Sequence, residues 1–407
     1  MAEQHTPRRA GISLSLDLVG RAGLYPELDG LRAMAILLVL ARHATLIRRD
    51  ATGPIWPLGG YDVATLWLNG WAGVDLFFVL SGLLITLQLD RIFRAGPRSG
   101  AFVAYLKRRV LRILPAYYAW LLICVSGVLF FAPIDHENMA FRIAYHLVLL
   151  QDYLPANIVV AFWSLGVEEK FYLLAPLLVG ALRPRRTRVV LASLVGIALL
   201  CVGIRAWIWT GLAHPLAYPT FFRAMRSPFH ASFDGLSIGV LVGMLVVRKG
   251  EVAFLRDPRL ARMLVVVGLT CSIILLTMRV HLEGAIGLLT GAGVAFALSL
   301  SFGALLLGLV LGRFPLAISL LGGPLMRFFA KLSYSLYLVH FAFVDVADAG
   351  LMRRFEWYAA GPVGVRLPMH FIVYGTVSTL AAIVLHVLVE KPLLPESKAQ
   401  TNAGADS

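Results

Sequence analysis

GVDLFFVLSGLLIT, residues 73–86, holds one charged residue, Asp75, in an otherwise apolar or small run. Extended to 71–90, the run reaches the ~20 residues that a helix needs to cross the hydrocarbon of a bilayer. Apolar and polar positions do not alternate in it. A strand of a transmembrane barrel, with polar inward positions, is therefore excluded. The same features recur at 30–48, 113–132, 162–182, 189–210, 229–247, 263–279, 285–312, 332–349 and 367–390. The sequence predicts an all-α polytopic membrane protein of about ten transmembrane helices. Between 133 and 161 the chain is less apolar, and a re-entrant or interfacial helix is expected near Phe141 to Leu150.

The whole composition agrees. Of 407 residues, 59% are hydrophobic and 15% charged, too little polar surface for a soluble chain of this size. The net charge of +14 raises nucleic-acid binding, but the basic residues sit in short loops between apolar runs, so membrane lipid is the expected neighbour and nucleic acid is not. With the N-terminus in the cytosol, nearly three times as many of the 37 Lys and Arg residues fall inside as outside. This positive-inside bias places both termini in the cytosol. The expected divisions are a cytosolic segment 1–29, one transmembrane domain 30–392, and a short polar cytosolic tail 393–407 with no soluble domain appended. The first 28 residues lack a signal-peptide core. Cys124, Cys201 and Cys271 are isolated and form no metal or redox pattern.

Ionisable residues inside spans are costly and each needs a reason. In the first span, Arg32 and His43 are eleven residues apart, which puts them on one helix face ~16 Å apart along the axis. Asp29 lies one turn before Arg32 and can pair with it. Such a face suits a channel with a base in it, or a snorkelling Arg with an interfacial His. In the fourth span Ser164, Glu168 and Tyr172 recur at i, i+4 and i+8 beside Trp163, while Glu169 and Lys170 point elsewhere. If this span starts at the outer surface, Glu168 meets His43 at one depth as a carboxylate–imidazole pair; a structural Glu–Lys pair is the alternative. At the mouth of the third span stand Lys107, Arg108, Arg109 and Arg112, with Tyr117 beyond. They can grip phosphates in fork geometry or anchor the span to anionic headgroups. Asp75 with Ser81, Asp234, and Tyr334 with His340 are further polar points, and Gly287, Gly291 and Gly293 read as helix-packing glycines.

Taken in order, the motifs resemble the acyltransferase-3 family of membrane acyltransferases. The matching pieces are Leu28 to Arg32 followed by His43, Gly73 to Thr86, Arg108 to Pro115, Trp163 to Tyr172, Ser333 to His340, and Val389 to Pro392; Lys170 stands where members often carry Gln. The resemblance implies a ten-span fold and acetyl-CoA or another acyl-CoA as donor, with no metal. It implies a carbohydrate or glycolipid acceptor at the cell surface, a macrolide-type metabolite being the other acceptor class, and a bacterial plasma (inner) membrane location. It makes His43 the general base with Glu168 as its partner and Arg32 beside them. Arg108, Arg109, Arg112 and Tyr117 are then expected to hold acyl-CoA, with Asp29, Asp75, Ser81, Trp163, Ser164, Tyr172, Tyr334 and His340 in support. Direct transfer is the default route and an acyl-imidazole the other. A secondary transporter would also explain ten spans and buried charge, but it predicts pseudo-symmetric halves, which the sequence lacks.

Overall fold

The computed structural model describes residues 25–48, 53–96, 100–129, 137–153 and 158–393. Most of the expected N-terminal segment and nearly all of the expected tail lie outside these residues. The long helices are α1 (Pro26–Ala44), α2 (Ala72–Arg94), α3 (Ala101–Val125), α4 (Met139–Leu147), α5 (Trp163–Leu182), α6 (Thr187–Thr210), α7 (Phe229–Val247), α8 (Pro258–Thr277), α9 (Gly284–Gly312), α10 (Pro324–Val339), α11 (Val344–Arg354) and α12 (Val363–Leu385). Pro at the first helical position starts α1, α8 and α10, where its fixed φ suits a helix and its missing N–H costs nothing. A short hairpin pairs Pro57–Leu58 with Tyr61–Asp62.

The chain is an all-α polytopic membrane protein. Among the described residues eight helical stretches are long and apolar enough to cross a bilayer. The two remaining expected spans fall on α3 and α5, of 25 and 20 residues; both are long enough but carry the charges of the candidate site. Helices α6, α8 and α12 turn Leu199, Leu200, Trp207, Ile273, Ile274 and Ile372 outward, as lipid-facing helices do. The centre is α2, which packs on α1, α5, α7 and α9.

Small residues let these helices approach closely, since lipid offers no hydrophobic drive for helix association. A Cβ on Gly82 of α2 would stand 2.4 Å from the Leu236 carbonyl oxygen, and one on Gly239 of α7 would stand 2.3 Å from that of Val79. Gly70 and Gly73 press on α1 at Leu38 and Ala35 in the same way. Gly287 and Gly291 face Trp209, whereas Gly293 faces open space and is not a packing glycine. Gly82→Val is therefore expected to lower stability by at least about 2 kcal/mol through overpacking against backbone. Gly293→Ala should be neutral or slightly stabilising. Thermal unfolding in detergent reads both, and equal midpoints for the two variants would contradict this packing.

Candidate active site

Two polar clusters lie toward opposite ends of α1. The first surrounds His43. Its Nδ1 donates to the Val39 carbonyl at 2.9 Å, so that nitrogen carries the hydrogen. His340 follows α10 in a short 3₁₀ turn. Its Nδ1 donates to the carbonyls of Tyr337 at 2.8 Å and Leu336 at 3.2 Å. In the neutral ring this leaves the His340 Nε2 lone pair, 3.3 Å from His43 Nδ1. His43 Nδ1–H is thus shared between a carbonyl and an imidazole, and its Nε2 is left unprotonated, without a protein hydrogen-bond partner among the described residues. Phe341 meets the His43 ring edge-on at 5.3 Å.

His43 stands on the wall of a cavity of about 760 Å³. Trp71, Trp163, Tyr218, Phe222, Tyr337 and Phe341 line it. The wall is braced by Asp75 on α2, whose two oxygens accept from Arg226 at 2.8 and 2.7 Å. The Arg226 guanidinium also lies 5.0 Å from the Trp71 ring and 5.3 Å from the Trp163 ring. A second buried pair, Arg205 with Asp234 at 2.7 Å, ties α6 to α7. Tyr337 fixes the floor by bonding Ser164 at 2.6 Å and the Ala161 carbonyl at 2.8 Å.

The second cluster surrounds Glu168. Its oxygens accept from Ser81 at 2.8 Å and Tyr172 at 2.9 Å, and the nearby opposite charges are Arg32 and Arg109. Arg109 bonds Gln88 of α2 and lies over the rings of Tyr105 and Tyr172. Arg112 lies within charge range of Arg32, Arg109 and Glu390. Arg32 reaches Ser333 at 3.5 Å and lines a cleft of about 220 Å³ with Asp29 and Gln88. Glu390 bonds Ser335 and His386; both His386 and Glu390 are buried.

Several sequence expectations change here. Glu168 does not pair with His43. Gly73 packs between the levels of Ala35 and Leu38, and Ser81, eight residues further along α2, lies ~12 Å deeper. Glu168 is bonded to Ser81 and so sits near the depth of Arg32. The cause is that α5 does not start at the surface. Trp163, its first residue, already packs on Phe78 at 5.9 Å, because the chain before it folds inward. There α4 forms near the expected place, Asp152 is fully buried, and Lys170 bonds Asp152 at 2.5 Å. Tyr117 is also not open to a ligand: it is buried and bonded to His146 of α4 at 2.8 Å. Tyr334 bonds the Ile113 carbonyl at 2.7 Å, tying α10 to α3. Asp29 makes no salt bridge to Arg32. Arg108 is exposed and carries no hydrogen bond or ion pair among the described residues. Arg226, Gln88, Asp152 and His146 were not singled out; each lies far along the chain from its partner, and only the heavy cost of burying such groups unpaired hinted at them.

Among the described residues no three His, Cys, Asp or Glu side chains gather closely enough to hold a metal ion. An imidazole with a free nitrogen on a roomy aromatic cavity is equipped to take a proton from a hydroxyl. Guanidinium groups at the other end are equipped to hold a polyanion. The family match agrees with such an integral membrane enzyme: residues 25–387 match the acyltransferase domain of the acyltransferase-3 family. The chain belongs to that family. It is 31% identical over 191 residues to the peptidoglycan O-acetyltransferase OatA of Listeria monocytogenes, covering 43% of this chain and 28% of that protein. It is 28% identical over 193 residues to the putative peptidoglycan O-acetyltransferase YrhL of Bacillus subtilis, covering 44% and 27%. It is 29% identical over 195 residues to the O-acetyltransferase OatA of Staphylococcus aureus, covering 44% and 29%. The matched region is thus under a third of each relative's length. No solved structure matches the chain.

Proposed function

We propose that the protein moves an acyl group, acetyl by preference, from acyl-CoA to a hydroxyl of a cell-wall or cell-surface glycan, with His43 as general base. The observation that carries this is the His43–His340 contact on the wall of the aromatic cavity. The relatives' names supply the reaction type and the cell-wall class of acceptor. The acyl donor supplies an activated thioester. Arg32, Arg109 and Arg112 are the residues that would hold its phosphates, since three guanidinium groups gather there against the carboxylates of Glu168 and Glu390. Glu168, bonded by Ser81 and Tyr172, keeps this donor end in register instead of orienting the base.

His43 Nε2 takes the proton of the acceptor hydroxyl as its oxygen forms the new ester bond. The thioester C–S bond breaks, and the thiolate leaves with the proton returned by the imidazolium. His340 is a positioning residue: its fixed lone pair holds the His43 Nδ1–H tautomer and steadies the cation that forms. With the N-terminus inside, the cleft at Arg32 opens to the cytosol and the His43 cavity to the outer face of a bacterial plasma membrane. The transporter alternative has no support in this asymmetry.

Purified protein given labelled acetyl-CoA and soluble glycan strands is expected to label the glycan; no labelling together with no thioester turnover would overturn the assignment. In the same assay His340→Leu should lower kcat about 10- to 100-fold with donor KM little changed. His340→Gln, which can present an acceptor oxygen toward His43, should recover much of the loss. Equal kcat in the two variants would show that His340 only fills space.

A further inference from the structure

The charges on the large cavity are not balanced. Among the described residues five arginines line it: Arg42, Arg205, Arg223, Arg226 and Arg279. Arg205 and Arg226 are neutralised by Asp234 and Asp75. Asp62 is the sole carboxylate among the described lining residues. Its oxygens already accept from the backbone N–H groups of Ile55, Trp56 and Ala64. Among the described residues Arg42 donates only to Thr45, at 3.2 Å, and lies over the Tyr218 ring at 5.8 Å. Arg223 and Arg279 are exposed and form no ion pair among the described residues. Three guanidinium groups from α1, the segment before α7 and the turn just after α8 therefore border one concave space without a carboxylate partner among the described residues, beside the free nitrogen of His43.

The planar fork of an arginine is suited to carboxylate or phosphate. Aromatic rings on the same wall offer flat apolar faces to the C–H faces of a sugar ring. The volume, about 760 Å³, is that of a ligand pocket rather than a packing flaw.

We propose that this cavity is the acceptor site and that it selects an acidic glycan, one carrying carboxylate or phosphate groups beside the hydroxyl to be acylated. Arg42, Arg223 and Arg279 bind the anionic groups, the aromatic wall takes the ring, and the target hydroxyl faces His43. This rests on His43 being the base, but its binding test is separate from catalysis. Arg42 is next to His43 in the chain, so an anion held there stands beside the reacting hydroxyl; Arg223 and Arg279 lie further out and recruit the polymer.

The test uses the 407-residue chain in nanodiscs of neutral lipid. Two probes of equal length are titrated: a hyaluronan tetrasaccharide, which alternates uronate with N-acetylhexosamine, and neutral chitotetraose. Quenching of tryptophan fluorescence, with Trp71 and Trp163 on the wall, reports binding. The acidic probe is expected to bind at least 10-fold more tightly at low salt, with the preference shrinking as salt rises. The Arg42→Gln/Arg223→Gln/Arg279→Gln variant is expected to bind both probes alike, with an unchanged elution profile as evidence of folding. Equal affinities in the native chain, no binding of the acidic probe at millimolar concentration, or an undiminished preference in the triple variant would each overturn the proposal. So would a triple variant whose acetyl-CoA KM rises while its glycan preference stays, since the arginines would then serve the donor. His43→Ala separates the two assignments. Retained acyl transfer in that variant refutes the base and leaves the probe preference to be judged on its own result.

Discussion

His43→Ala is expected to lower acyl transfer by about 10³-fold, within the 10²–10⁴ range that a positioned general base contributes. The ring stands half-buried on the cavity wall, and its Nδ1–H is held by the Val39 carbonyl and His340 Nε2. Removing it takes away the proton acceptor while leaving Arg32, Arg109 and Glu168, ~16 Å away along α1, in place. Donor KM should therefore move little while kcat collapses. Labelled acetyl transfer, normalised to the amount of folded protein in the membrane, reads the effect. Wild-type rates in this variant would end the proposed mechanism, and a loss confined to donor KM would place His43 at the wrong end of the path.

Asp75→Ala is expected to carry the largest stability cost, about 3–5 kcal/mol. Asp75 is 1% exposed and gives both oxygens to Arg226. Without it the guanidinium stays buried between two indole rings with no anion to face. The pair links α2 to the segment that leads into α7, so its loss should also loosen the cavity wall. Asp75→Leu/Arg226→Met removes both charges together and is expected to recover most of the midpoint, because the desolvation of two charges is no longer needed. Thermal unfolding of the purified variants decides it. A single variant within 1 kcal/mol of the native chain would mean that water or another anion already compensates Arg226.

Most of the architecture was legible because long apolar runs have few alternatives: a chain in lipid must satisfy its backbone internally. The common face of Arg32 and His43 followed from helical periodicity alone. What the sequence could not supply was depth. Counting from the apparent start of the fourth span placed Glu168 beside His43, whereas α4 and the buried Asp152 fill the space above α5 and lower its first turn. Nor could it supply partners from distant segments. His340 is 297 residues from His43, and Arg226 is 151 from Asp75. Asp75 was recognisable as a group needing a donor, but nothing local said which one. Tyr117 shows the opposite error: its place beside the arginines suggested a ligand contact, while its hydroxyl is used by His146 to hold α4 in position.

One helix, α1, carries Arg32 near its beginning and His43 near its end. Under the proposed mechanism it acts as a yardstick. Any tilt or slide of α1 shifts clamp and base as one, so the protein can breathe against its neighbours without changing how far a tethered thioester must extend. Selection among carriers would then follow from the length of the tether, and selection among the groups carried from the room left at its tip.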